Sequence, residues 1–173
     1  MIHEDILALK AALKPGERLL GLDLGEKTIG MALSDPMLTL ASPVGTIRRT
    51  KFSRDVEELF ALVDHRGVGG LVVGLPVNMD GTEGPRCQSV RDFVRELHQR
   101  RPIPATFWDE RLSTSAVQRF LTQEADMTRK RRGEVVDKMA AGYILQGALD
   151  RLAFTPTRPL SALGDEEEED GAY

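Results

Sequence analysis

Apolar positions along the chain change period several times, and each change marks an element. Ile2, Ile6, Leu9 and Leu13 recur at helical spacing, so residues 2–13 predict a short amphipathic helix, which Pro15-Gly16 ends. Three β-like runs follow: Arg18–Gly25 (RLLGLDLG), Thr28–Ser34 (TIGMALS) and Ala41–Arg48 (ASPVGTIR). The short link between the first two favours an antiparallel hairpin. Ser53 reads as an N-cap for a helix whose stripe is Val56, Leu59, Phe60 and Val63, ending near Gly67. Gly70–Leu75 (GLVVGL) is a continuous apolar run suited to a buried parallel strand. After the loop PVNMDGTEGP, a helix carries Val90, Phe93, Val94 and Leu97 on one face, and Ile103–Trp108 reads as another strand. Helices near 114–124 and 134–153 close the pattern, separated by a basic loop at 125–133. Beyond Thr155 the periodicity stops, which predicts a disordered tail.

The order β-β-β-α-β-α-β-α-α predicts an α/β fold: a five-stranded mixed sheet with helices on both faces. The chain divides into an N-terminal amphipathic helix (1–17), a central domain (18–155) and an acidic tail (156–173). The 173 residues suffice for one domain with a real core. Aromatics are 5%, so that core must be aliphatic. The acidic residues in MIHEDILALK argue against a secretion signal, and no apolar run approaches a membrane span. A lone Cys87 excludes an intramolecular disulfide framework and fits a reducing cytoplasm. His3, His65 and His98 lie far apart in sequence, so a catalytic metal would take oxygen ligands.

The net charge of -4 is misleading. Six of the 27 acids form the run DEEEED at 165–170, leaving 21 acids against 23 Lys and Arg. Basic residues gather at Arg48, Arg49, Lys51 and Arg54, and again at Arg129, Lys130, Arg131 and Arg132. The charge distribution is therefore compatible with nucleic acid, although a solvated surface is the simpler reading of either cluster alone.

Three acids occupy positions where carboxylates are costly. Asp23 lies inside the apolar run RLLGLDLG, with Gly21 and Gly25 two residues to either side, so open space is expected beside it. Its competing role is to cap the turn into Glu26-Lys27. Asp109 and Glu110 follow an apolar strand, at the end where α/β proteins place ligands; they could instead complement a helix capped by Ser113. Asp137 shares a helical face with Ala140, Ala141 and Ile144, which aims it at the sheet, for function or for an ion pair with an arginine such as Arg111. Together these acids could surround a hard cation, Mg²⁺ or Mn²⁺, of the kind that supports phosphodiester hydrolysis. The glycine-punctuated loop NMDGTEGPR runs from a strand into a helix start, a phosphate-handling arrangement in which Thr82 would cap the helix and Arg86 would contact phosphate.

The segments GLDLGEKTIGMALSD, VVGLPVNMDGTEGPR, WDERLSTSA and VVDKMAAGYIL, in that order, resemble the YqgF/RuvX family of Holliday-junction-resolvase-like nucleases, also linked to trimming the 5′ end of pre-16S rRNA. The resemblance spans about residues 18–153. It implies a ribonuclease H-like fold for residues 18–155 and a catalytic, metal-binding triad of Asp23, Glu110 and Asp137 holding Mg²⁺ or Mn²⁺. Glu110 is preferred to Asp109 because neighbours on an extended strand point to opposite faces. Nucleic-acid contacts are expected from Arg86, Arg111, Arg129, Lys130, Arg131 and Arg132. The expected activity is a cytoplasmic endonuclease acting on structured RNA, with branched DNA as the alternative, working as a monomer or a homodimer without a membrane partner. The apolar face of the N-terminal helix is the candidate dimer surface, against packing on its own domain. Two further readings carry less weight. Actin-like ATPases share the fold but need two such lobes, and a non-catalytic nucleic-acid-binding factor would not need three converging acids.

Overall fold

The computed structural model of the chain describes residues 1–112 and 129–154, with 129–137 described by their backbone alone. Helix α1 (Ile6–Ala12) leads into a meander of β1 (Arg18–Leu24), β2 (Thr28–Ser34) and β3 (Ala41–Arg48). Helix α2 (Phe52–Arg66), β4 (Val68–Leu75), α3 (Pro85–Arg100) and β5 (Ala105–Asp109) follow. A 3-10 turn at Glu110–Leu112 and the long helix α4 (Arg129–Ala153) complete the described chain. The helix expected at 114–124 and the tail beyond Thr155 lie outside the described residues.

The strands are ordered β3-β2-β1-β4-β5. The meander pairs are antiparallel, and the β1–β4 and β4–β5 pairs are parallel. Short links can join only antiparallel neighbours, whereas α2 and α3 supply the crossovers that parallel pairing requires. Strand alternation then divides the core in two. Leu20, Leu22 and Leu24 of β1, with Leu71, Val73 and Leu75 of β4, meet the apolar stripes of α2 and α3. Leu19 and Val72 face the other way, against Ile6 and Leu9 of α1 and Ala141, Leu145 and Leu149 of α4. The apolar stripe of α1 is thus buried within its own domain, the alternative to a dimer surface.

Several element ends differ from the sequence expectation for local reasons. Helix α1 starts after Asp5, whose carboxylate accepts the Ala8 N–H at 2.8 Å. Ile2 lies outside it and bridges Ala105 in parallel, with the His3 N–H donating to the Ala105 carbonyl at 2.7 Å. Residues 1–3 therefore cover the outer edge of β5, a position that tames an otherwise open edge. Ser53 does not cap α2: Lys51 holds that position, and Asp55 accepts the Thr50 N–H at 3.1 Å. Nor does Thr82 cap α3, which opens with Gly84 and then Pro85, the residue best suited to a first helical position. Strand β5 begins after Pro104, which has no N–H to give a ladder. Arg129, Lys130, Arg131 and Arg132 form the first turn of α4 rather than a loop, in keeping with the helix propensity of Arg and Lys.

Candidate active site

Asp23 sits on the face of β1 that receives α4, two residues from Gly21. A Cβ at Gly21 would lie 2.8 Å from the Leu145 Cβ and 3.0 Å from the Ala141 carbonyl oxygen, so the glycine lets the helix backbone rest directly on the strand. The open space expected beside Asp23 is therefore not there. The helix fills it at Gly21, and at Gly25 a Cβ would meet the Thr28 carbonyl oxygen at 3.0 Å. Asp23 itself is half-buried.

The second acid arrives from the end of β5. Trp108 pairs with Gly74 and Asp109 with Leu75, so consecutive residues fall on opposite faces of the sheet. Glu110, one residue further, returns to the Gly74 side. A Cβ at Gly74 would stand 2.6 Å from Glu110 Oε1 and 2.5 Å from Ile144 Cδ1, so the absent side chain is the room the carboxylate occupies. There the Glu110 and Asp23 side chains share a hydrogen bond. Burial pushes the Glu110 carboxyl above its ordinary range; the bond to Asp23 and the charge of Arg86 pull it back, while Asp109 adds to the rise. Asp109 behaves oppositely. Its carboxylate accepts from Arg111 Nη2 at 2.6 Å and Nε at 2.9 Å, and this pairing holds it below the usual range. Glu110, not Asp109, is the neighbour of Asp23.

Asp137 lies on α4 one turn ahead of Ala141, the residue that touches Gly21. Its side chain, and those of Arg129, Lys130, Arg131 and Arg132, lie outside the described residues. Among the described residues no three His, Cys, Asp or Glu side chains gather as a metal cluster.

Beside the acid pair lies a cleft of about 470 Å³, lined by Asn78, Gly84, Arg86, Glu110 and Arg111 among others. Its loop is built from its own polar groups: the Asn78 N–H donates to the Thr82 carbonyl at 2.9 Å, and the Thr82 hydroxyl donates to Asp80 at 2.6 Å. Gly81, at φ +90°, makes the turn that this closure needs. Arg111, tied to Asp109, and Arg86, exposed and acting on Glu110, both border the cleft. The sequence reading passed over Gly74, although a glycine inside an apolar strand signals a close approach.

Residues 17–151 match the family model described as RuvX, Holliday junction resolvase. The chain belongs to the RuvX family. A RuvX relative from Rhodospirillum centenum, named "Putative pre-16S rRNA nuclease", is 65% identical over 157 residues, covering 88% of this chain and 83% of its own. Another of the same name, from Paramagnetospirillum magneticum, is 67% identical over 142 residues, covering 82% and 91%. RuvX proteins are thus nucleases by family. Among solved structures, RuvC of T. thermophilus in complex with a Holliday junction substrate superposes with a TM-score of 0.50 at 10% identity, covering 80% of this chain and 98% of that one. At that identity the likeness speaks for the fold, which is ribonuclease H-like. Among the described residues no helix is long and apolar enough to cross a membrane.

Proposed function

We propose that this chain is a divalent-metal-dependent endonuclease that hydrolyses phosphodiester bonds in structured RNA, with the 5′ end of pre-16S rRNA as its main substrate. The observation that carries the reading is the contact between Asp23 and Glu110, with the charge of Arg86 acting on Glu110. Two carboxylates held together in a half-buried setting repel each other unless a proton or a cation stands between them. The donors are oxygens, and the described neighbourhood offers no imidazole or thiolate, since Cys87 is buried on the opposite side of the sheet. Such a set fits Mg²⁺ or Mn²⁺. Asp23 and Glu110 would hold the ion, with Asp137 as the third ligand from α4. When bound, it supplies activation of water and stabilisation of the leaving oxygen. Arg86 and Arg111 would position the phosphate, and Arg129, Lys130, Arg131 and Arg132 would hold the flanking strand. The expected location is the cytoplasm.

Junction resolution is the second reading, favoured by the family description. Two cuts on opposing strands call for two active sites related by a two-fold axis. Of the surface that the sequence offered for that pairing, Ile6 and Leu9 are buried against α4 and β1 and Leu13 packs beside them, while Ile2 stays exposed. This weighs toward a single site and end trimming.

The test is a side-by-side cleavage assay on an RNA carrying a 5′ precursor extension and on a four-way DNA junction, with and without Mn²⁺. Asp23→Asn should reduce cleavage by more than about 100-fold while melting and substrate binding stay near those of the parent. Undiminished cutting by the variant would sink the metal-nuclease reading. Sedimentation on the junction, with mapping of paired nicks, decides the substrate: a dimer making symmetric nicks favours resolution, and a monomer cutting only RNA favours trimming.

A further inference from the structure

A second cleft also borders Arg86. It measures about 460 Å³ and is lined by Gly25, Glu26, Arg49, Thr50, Arg86 and Ser89 among others. Arg86 borders both clefts, so the two share a wall. Arg49 is held in place there. Its Nη1 donates to the Gly25 carbonyl at 2.6 Å, and its guanidinium stands 5.5 Å from the centroid of the Phe93 ring. Gly25 in turn is two residues from Asp23, which fixes Arg49 to the same strand end as the acid pair.

We propose that this cleft is a phosphate site for the bound strand, one or more nucleotides away from the scissile bond, with Arg49 as its anchor and Arg86 as the bridge between the two positions. The inference rests on the nuclease reading and extends it to the path of the substrate. A guanidinium fixed by a carbonyl and an aromatic ring has lost little further entropy when a phosphate arrives, and its planar fork suits phosphate oxygens. The Thr50 hydroxyl donates to Asp55 at 3.3 Å and the Ser89 hydroxyl to the Pro85 carbonyl at 3.1 Å, so the two guanidinium groups of Arg49 and Arg86 carry the attraction, against the single carboxylate of Glu26. The aromatic ring in the lining, Phe93, is 6% exposed, so it offers no platform on which a base could stack. The cleft therefore reads backbone rather than sequence.

Binding of an RNA hairpin with a single-stranded 5′ extension, measured across a salt series on the Asp23→Asn background, tests this without cleavage. Arg49→Ala should weaken binding about tenfold at low salt and flatten the slope of log affinity against log salt by ~0.7, the share of one phosphate on a single strand. A scan of neutral methylphosphonate linkages should find one position that weakens the parent and leaves Arg49→Ala unaffected. Because Arg49 also braces Gly25, two variants spare that bond: Ser89→Glu should weaken binding and Ser89→Lys should strengthen it. An unchanged slope and linkage profile in Arg49→Ala, or equal affinity of the two Ser89 variants, would overturn the proposal. Persistent cutting by Asp23→Asn would instead overturn the nuclease reading, so the two failures are distinct.

Discussion

The two faces of the sheet are made by the same strands, residue by alternate residue, yet they are built differently. Toward α2 and α3, β1 presents Leu20, Leu22 and Leu24, and β4 presents Leu71, Val73 and Leu75, all buried in one aliphatic layer. Toward α4, β1 presents Leu19, Gly21 and Asp23, and β4 presents Val72 and Gly74. On that side the side chains shrink to nothing where α4 or Glu110 must come close. Close packing of branched side chains supplies stability on the first face. The second gives up part of that layer to seat two carboxylates. A strand can serve both ends because its two-residue period keeps the demands on separate sides.

The sharpest way to break this contrast is on the aliphatic face. Leu22 is fully buried there. Leu22→Ala should cost about 2–5 kcal/mol in denaturant unfolding, with cleavage per folded molecule within a few-fold of the parent. A collapse of activity at unchanged stability would show that the faces are not separable. The opposite profile is expected of Gly74→Ala. The nearest atoms to the new Cβ belong to the Glu110 and Ile144 side chains rather than to backbone, so stability should fall by about 1 kcal/mol, near the low end for overpacking. Cleavage should drop by at least about tenfold as Glu110 is displaced, which steady-state rates would reveal.

The smallest effect concerns pH. Glu110 has a folded pKa raised above its ordinary 4.5, chiefly by burial. It therefore binds its proton more tightly folded than unfolded, and the stability this contributes is complete below pH 4.5 and lost as pH rises through the folded value. In metal-free buffer, the melting temperature of the parent should decline with pH across that window relative to Glu110→Gln, which cannot ionise. Parallel melting curves for the two proteins against pH would show that burial does not raise the Glu110 carboxyl.

The sheet was legible in the sequence because its strands alternate or run continuously apolar, and because link length dictates parallel or antiparallel pairing. That Glu110 rather than Asp109 lies beside Asp23 follows from the same alternation. What misled was local chemistry overruled by tertiary contact. Ile2 fits the helical stripe of Ile6 and Leu9, yet its backbone finds Ala105 across the chain. Ser53 and Thr82 have capping side chains, but Lys51 and Gly84 hold those ends. Gly21 was read as a gap beside Asp23, whereas the missing side chain is a seat for a helix that no local pattern announces. The helical placement of Asp137 was legible; where its carboxylate points lies outside the described residues.

Trp108 is the only tryptophan, and it stands where β5 meets α4, two residues before Glu110. Its ring lies against the bare backbone of Gly147, within 3.1 to 3.2 Å of where a Cβ would be, and its indole N–H has no hydrogen-bond partner among the described residues. The molecule thus carries its own optical probe at the junction that brings the acid-bearing strand end to the helix. Light absorbed at the red edge of the protein band excites this one chromophore, and its emission colour follows the wetness of that seam. Lifting α4 from the sheet would redden the emission, while melting confined to α2 and α3 would leave it blue, so the closing of the site can be watched in real time without a label.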